Sequence, residues 1–447
     1  MRNSVGEAGL SVTEDFNRGR IYLRIGRRLI PFLLLCYIVA MIDRLNIGYA
    51  KLQFGRDLGL NEAVFGFATS IFYVGYVLFE VPSNLALQRS GIRRVLPRIM
   101  IAWGLITLAF AASQSATHFY ILRFLLGAAE AGFFPGVVLY LTFWFPDRLR
   151  GRVVSLFAAA LPIAGITAGP ISGLIMERFS GLSGLRGWQW LFVLEGVPAI
   201  LLGIAALFYL SDGPASAGWL STAEKARVAD DLAADRLREG TSGRSRFRDA
   251  LTEPRLYVLA GIYFAYYCSL NAVLVWTPTL LKNAGITDLV VIGWTSGGIA
   301  LFATVCMLGL GYSSDRTGER RWHVAGSGLI TAAAFLMLPL AHDNISLTVA
   351  LLALASAGVF SVLALFWTIP GAYLSGTAAA GGIGLISAVG SFGGAVSPTF
   401  IGVMREASGS FYGGLAAVAC LTAMGMLVLL ATIPRRRSSS PSPAGAA

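Results

Sequence analysis

The stretches IPFLLLCYIVAMIDRLNIGYA, residues 30–50, and FYILRFLLGAAEAGFFPGVVLYL, residues 119–141, decide how this chain folds. Each is about as long as the roughly 20 residues that carry a helix across hydrocarbon. Each also holds charge at lipid depth: Asp43 and Arg44 in the first, Arg123 and Glu130 in the second. Such a charge costs about 2.5–3.5 kcal/mol on insertion scales. Residues that survive there face a bundle interior, pair with one another and mark a substrate or ion path.

The rest of the chain repeats the pattern. Of 447 residues, 55% are hydrophobic and 13% charged, and the mean hydropathy is +0.68. A soluble domain carries about 25% charged residues. Twelve spans are predicted, at about 29–50, 63–87, 95–113, 117–143, 151–178, 188–210, 255–281, 289–312, 322–341, 345–374, 377–403 and 410–433. The fold class expected is an all-α membrane protein of two six-helix bundles. Its parts are an N-terminal tail (1–28), a first bundle (29–210), a central loop (211–254), a second bundle (255–433) and a polar tail (434–447).

The net charge of +11 raises the question of nucleic acid, and its placement answers it. Of 35 Lys and Arg, two lie at membrane depth and six, Lys51, Arg56, Arg178, Arg186, Lys282 and Arg405, fall in odd-numbered loops or at their edges. The remaining 27 lie in the tails, the even-numbered loops or the span ends beside those loops. This is the positive-inside pattern, which puts both termini and the central loop in the cytoplasm. No basic stripe lies on a soluble domain, so nucleic acid is not an expected partner. The expected partners are a small solute and the bilayer, with the protein a monomer. Cys36, Cys268, Cys306 and Cys420 stand alone, with no metal-site or redox spacing, and are read as packing residues. No cleavable leader is read before the first span.

The central loop divides the spans six and six. Within it, Ser221 and Glu224 have capping-box spacing and predict a short surface helix. The two halves also echo each other. RSGIRR follows the second span (Arg89, Gly91, Arg93, Arg94), and RTGERR follows the eighth (Arg316, Gly318, Arg320, Arg321). The two lie 227 residues apart at matching positions. Repeated halves are one way to build a transporter with its site at their interface. Gly165, Gly169 and Gly173, and Gly390 and Gly394, have the small-xxx-small spacing that lets membrane helices approach closely.

Arg123 and Glu130 are seven residues apart, so two turns place them on nearly one face, about 10 Å apart along the axis. Asp43 and Arg44 diverge by about 100°, so each needs a partner on another span or in a cavity. A guanidinium suits a carboxylate bidentately, which points to an anionic cargo. His118, His323 and His342 fall at span edges, leaving Asp43 and Glu130 as proton carriers. The alternative for these four residues is a permanent salt bridge that only fixes packing. Glu80 and Glu195 are read as structural. Tyr73, Tyr76, Tyr266, Trp276 and Trp367 are candidates to cover a ring or aliphatic chain, although most membrane aromatics pack the core or line the interfaces.

At these residues the chain resembles the major facilitator superfamily and, within it, the anion:cation symporter family. The segments that carry the resemblance are DRLNIGYA (43–50), DLGL (57–60), EVPSNLALQRSGIRRVLPRIMIAWG (80–104), RFLLGAAEAGFFPGVVLYLTFWFP (123–146), GWQWLFVLEG (187–196) and SDRTGERRWH (314–323). The nearest branch is bacterial and moves tartrate, phthalate, hydroxyphenylacetate and similar acids. The resemblance implies two bundles around a central cavity, alternating access, and proton-driven uptake across the bacterial inner membrane. It has no cofactor beyond the co-transported proton. By motif position Asp43 and Glu130 match the proton-coupling acids, and Arg44 and Arg123 the cavity arginines. Tyr76 and Trp367 match substrate contacts, with Tyr73 and Asn46 beside the same motifs. The R-x-G-x-R-R loops, with Asp315 before the second, match gate-latching loops.

Some positions depart from that pattern. Gln88 stands where the first loop often has an acid, Ser387 and Ser391 where relatives have asparagines, and Pro162 where a sugar-acid relative has a polar residue. Fewer amides tilt the expected cargo toward aromatic or short dicarboxylic acids. The expected function is therefore proton-coupled symport of a small organic anion. The alternatives are hexonate or hexuronate symport, efflux of an organic acid or drug by proton antiport, and a ligand-binding sensor with no transport. No Ser-His-Asp order, HExxH or P-loop supports an enzyme.

Overall fold

The computed structural model describes residues 3–241, 254–341, 344–370 and 376–433, and among them every regular element is helical. The long helices are α1 (Asn3–Asp57), α2 (Glu62–Ser90), α3 (Ile92–Phe110), α4 (Ala116–Glu130), α5 (Phe133–Thr142), α6 (Asp147–Ala158), α7 (Ala160–Arg178), α8 (Gly187–Tyr209), α9 (Thr222–Thr241), α10 (Pro254–Asn283), α11 (Leu289–Thr317), α12 (Arg321–Met337), α13 (Ile345–Phe366), α14 (Gly376–Ser408) and α15 (Tyr412–Thr432). Among the described residues, eleven spans are long and apolar enough to cross a membrane. The third expected span is α3, whose first two turns hold Arg93, Arg94 and Arg98.

Three departures from the predicted spans matter for the site. First, α1 runs past its apolar stretch at both ends, with Pro31 inside it. Lys51, expected at a loop edge, is therefore a buried helical residue. Second, the fourth span breaks at Ala131 and Gly132 into α4 and α5, so Glu130 ends a helix. A Cβ on Gly132 would strike the Ser83 side chain, so the chain needs glycine where it passes α2. Third, the fifth span is interrupted at Ala159, between α6 and α7.

The helices form two compact units. The first is built from described residues within Met1–Arg44, Val74–Thr167 and Gly181–Gly243, and α3 packs there on α8 and α4. Its core holds Trp103 against Phe133 and Phe110 against Phe119 and Phe192. Gly104 and Gly196 meet the facing backbone in the α3–α8 contact. The second unit is built from Leu45–Tyr73, Ala168–Ser180 and described residues within Arg244–Ala447. There α10 packs on α14 and α15, α12 on α13 and α15, and α11 on α13.

The expected surface helix is α9. Its capping box is closed in both directions: the Ser221 amide donates to Glu224 at 2.8 Å, and the Glu224 amide donates to Ser221 Oγ at 3.2 Å. Arg24 of α1 adds an exposed ion pair to Glu224 at 3.1 Å, and Tyr22 donates to Asp231 at 2.8 Å. Trp219, just before α9, stacks on Trp144 at 5.6 Å. The Ser221 amide, helped by Arg24, holds the Glu224 carboxyl below the usual carboxylate range.

Candidate functional site

In the first unit the four intramembrane charges converge. Asp43, Arg123 and Glu130 are 1%, 3% and 1% exposed. Arg44 Nε donates to Glu130 Oε2 at 2.5 Å, with the Arg44 side chain part-exposed. The carbonyl end of α4 is an unfavourable place for a carboxylate, and the guanidinium offsets that field. Glu130 Oε1 is buried with no hydrogen-bond partner. Asp43 turns away toward α3, where Thr107 Oγ1 donates to its Oδ2 at 3.1 Å. Arg123 lies within electrostatic reach of both acids. Tyr76 presents its ring face to Arg44, with the guanidinium carbon 4.9 Å from the centroid. Beside them Tyr37 stacks on Phe157 at 4.7 Å, which gives this site an aromatic wall.

The other three predicted contacts belong to the second unit. Tyr73 donates from its hydroxyl to Asn271 Oδ1 at 2.6 Å, and Asn271 Nδ2 donates to the Tyr267 carbonyl at 3.0 Å. Trp367, at the end of α13, meets the Tyr263 ring edge-on at 4.9 Å, and Phe366 stacks on the same ring at 4.7 Å. Gly390 and Gly394 make room for these rings: a Cβ at 394 would sit 3.0 Å from the Tyr73 ring, and one at 390 would strike Tyr263. Asn46 is buried on α1. The structure thus gathers Asp43, Arg44, Tyr76, Arg123 and Glu130 in one unit, and Asn46, Tyr73 and Trp367 in the other.

The two signature loops are held differently. In the first, Gly91 has φ 79° and lies against Asp212, whose Oδ1 accepts from the Arg93 amide at 3.0 Å. The Arg93 side chain donates to the Leu207 carbonyl at 2.9 Å, while Arg89 and Arg94 are exposed. In the second, Asp315 pairs with Arg320, which also donates to Ser314 at 3.0 Å. Arg321 donates to the Leu430 carbonyl, Gly318 caps α11 at φ 67°, and Arg316 is exposed. Glu319 caps α12 by accepting from the Trp322 amide at 2.9 Å. Burial works to raise its pKa, but the Trp322 and His323 donors outweigh burial and hold it below the usual range. Of the histidines, His118 and His323 lie in the first turns of α4 and α12, and His342 lies outside the described residues.

Sequence reasoning missed Thr107, Asn271 and Asp212. A single threonine or asparagine in an apolar span leaves no periodic signal. Asp212 could have been found as the first acid after the sixth span, facing a loop that lacks its own.

With this geometry in view, comparison decides the family. The Major Facilitator Superfamily profile matches residues 33–398. The chain belongs to that superfamily. It is a multi-pass membrane transporter and not an enzyme. A Pseudomonas putida protein named "Putative metabolite transport protein NicT" is 44% identical over 91% of this chain and 93% of its own length. A "Putative tartrate transporter" of Agrobacterium vitis is 42% identical over 94% and 92%. A "Quinolone resistance transporter" of Acinetobacter baumannii is 37% identical over 92% and 95%. Among solved structures, a D-xylose-proton symporter shares the fold at TM-score 0.71 and 15% identity, covering 91% of this chain and 98% of that one. A bacterial homologue of the lysosomal transporter Spinster, captured inward-facing, matches at TM-score 0.69 and 17% identity over 90% and 92%.

Proposed function

We propose that this transporter carries a small organic anion into the cell with protons, by alternating access. The observation that carries the reading is the group of two arginines and two carboxylates in the first unit, three of them buried and Arg44 part-exposed. With Asp43 and Glu130 ionised, their charges balance those of Arg44 and Arg123. A carboxylate arriving from water would leave this buried group with surplus negative charge, which low-dielectric surroundings penalise heavily. A proton on either acid restores neutrality and frees a guanidinium fork for the incoming carboxylate. Cargo and proton therefore favour each other's binding, the reciprocity that coupling requires. Neutrality calls for one proton per monoanion and two per dianion, and two acids can supply both.

The tartrate and metabolite names of relatives more than 40% identical support an organic acid as the cargo. The Tyr263–Trp367 aromatic cluster suits an aromatic or short dicarboxylic acid. A relative of Escherichia coli named "Inner membrane transport protein RhmT", 36% identical, supports the bacterial inner membrane. The excess of basic residues in the tails and even-numbered loops supports a cytoplasmic position for both termini. Purified protein in liposomes should accumulate tartrate, or another acid from a panel, faster when the proton gradient points inward. Uptake indifferent to that gradient, in a preparation that still exchanges substrate, would refute coupled import.

One observation favours a second reading. The 37% identity to a quinolone resistance transporter fits proton-driven export. Deleting the gene separates the two: an importer's loss removes growth on an acid, and an exporter's loss adds sensitivity.

A further inference from the structure

Lys51 is a lysine in the wrong place for a soluble tether and the right place for a gate. It is 7% exposed, and its ammonium sits 4.5 Å from the Trp276 ring centroid, 4.9 Å from Phe65 and 5.7 Å from Phe411. Its Nζ pairs with Glu62 and donates to Thr279 Oγ1 at 3.1 Å. All of these residues lie in the second unit. A buried ammonium is tolerable only with a counter-ion and further hydrogen bonds, and this one has both.

The partners fall into two sets by chain position. Glu62 and Phe65 sit on the same short connection as Lys51, from the end of α1 into α2. Thr279, Trp276 and Phe411 lie beyond the central loop. Around this lysine, backbones from before and after that loop touch closely within the same unit. A Cβ on Gly48 would lie 3.0 Å from the Val275 carbonyl, and Cβ atoms on Gly66, Gly169 and Gly173 would strike the backbone at Pro398, Gly293 and Leu289. Such contacts are rigid when made and carry no side chains that must repack when broken.

We propose that Lys51 is a gating residue of the transport cycle, a cationic plug seated in a Trp276–Phe411–Thr279 socket, with Glu62 as a counter-ion that travels with it. The inference rests on the alternating-access reading, in which segments from the two repeated halves must part at this end. On parting, the lysine loses one hydrogen bond and two ring contacts and keeps its ion pair. Opening therefore never exposes a naked charge to apolar surroundings, and the socket adds to the backbone contacts that hold this end shut.

The two sets make different predictions. Removing Glu62 leaves an unneutralised ammonium in the socket, which disfavours the seated state. Replacing Lys51 by methionine leaves an apolar chain that prefers the socket to water. The test uses Ser70→Cys, which removes the hydroxyl that Thr399 donates to at 2.7 Å in the same contact region, in a chain whose native cysteines are replaced. Labelling by a membrane-impermeant maleimide needs neither substrate nor proton gradient, so it stands even if the coupled-import reading fails. We expect E62Q, W276L and the milder T279V each to raise the labelling rate about threefold, the size of one such contact. K51M should lower it, and K51M/E62Q should label like K51M alone. Equal rates in all folded variants, or K51M and E62Q acting additively in the same direction, would overturn the proposal.

Discussion

Arg44 and Glu130 lie 86 positions apart in the chain and meet at 2.5 Å, while Asp43, the neighbour of Arg44, points instead to Thr107. Two adjacent residues on one helix thus serve two different neighbours, and a carboxylate ends up next to each arginine's field.

Arg44→Gln should remove transport and also stability, because it leaves Glu130 buried without its counter-charge. The loss should fall at the low end of the about 3–5 kcal/mol typical of breaking a buried pair, since Arg44 is part-exposed. Arg44→Lys should recover most of the stability and little of the substrate affinity, because an ammonium cannot give both the Nε bond and a planar fork. Thermal unfolding in detergent and uptake in liposomes read the two effects separately.

Glu130→Gln keeps the shape and a donor for the site but cannot cycle a proton. Counterflow exchange should persist while gradient-driven accumulation falls by at least about a hundredfold, the low end of the 10²–10⁴ span that proton-transfer groups contribute. Loss of both activities together would mean that Glu130 holds packing rather than protons.

Gly394→Ala places a methyl group against the Tyr73 ring, and Gly390→Ala places one against Tyr263. Overpacking of this kind costs about 1–3 kcal/mol. The Tyr73–Asn271 bond should break first, so KM should rise more than the maximal rate falls. Tyr73→Phe should reproduce part of the KM effect without the stability loss. Substrate titrations of the three variants check this.

The α9 brace should be acid-sensitive with a definite sign. Glu224 has a folded pKa below its unfolded value, held there first by the Ser221 amide. Its contribution is fully present above the ordinary glutamate pKa of about 4.3 and fades as pH falls through the lower folded value. Glu224→Gln should therefore melt below the parent at neutral pH, and the gap should close in acid. A gap that stays constant with pH would contradict the assignment.

Much of this was readable from the residues, and the limits have physical causes. Charges in apolar runs are rare enough that Asp43, Arg44, Arg123 and Glu130 stand out without a structure. Their partners do not, because Thr107 and Asn271 are neutral and common in spans. The spans themselves follow from hydropathy, but their ends do not. The first helix continues through polar residues to Asp57, which turns Lys51 from a loop-edge charge into a buried one. The break at Ala131 and Gly132 is hidden because the hydropathy of the span carries straight through it; only the side chain of Ser83, from another helix, shows why glycine is needed there.

The central claim is that proton and carboxylate are bound by one buried, charge-balanced group. The most direct test counts protons per anion in liposomes, by following an internal pH dye and labelled substrate together while the membrane potential is clamped. The account predicts one proton per monocarboxylate, two per dicarboxylate, and no dependence on voltage for either, with all coupled flux lost in Arg44→Gln. Substrate entering with no proton, or carrying net charge across the membrane, would contradict it.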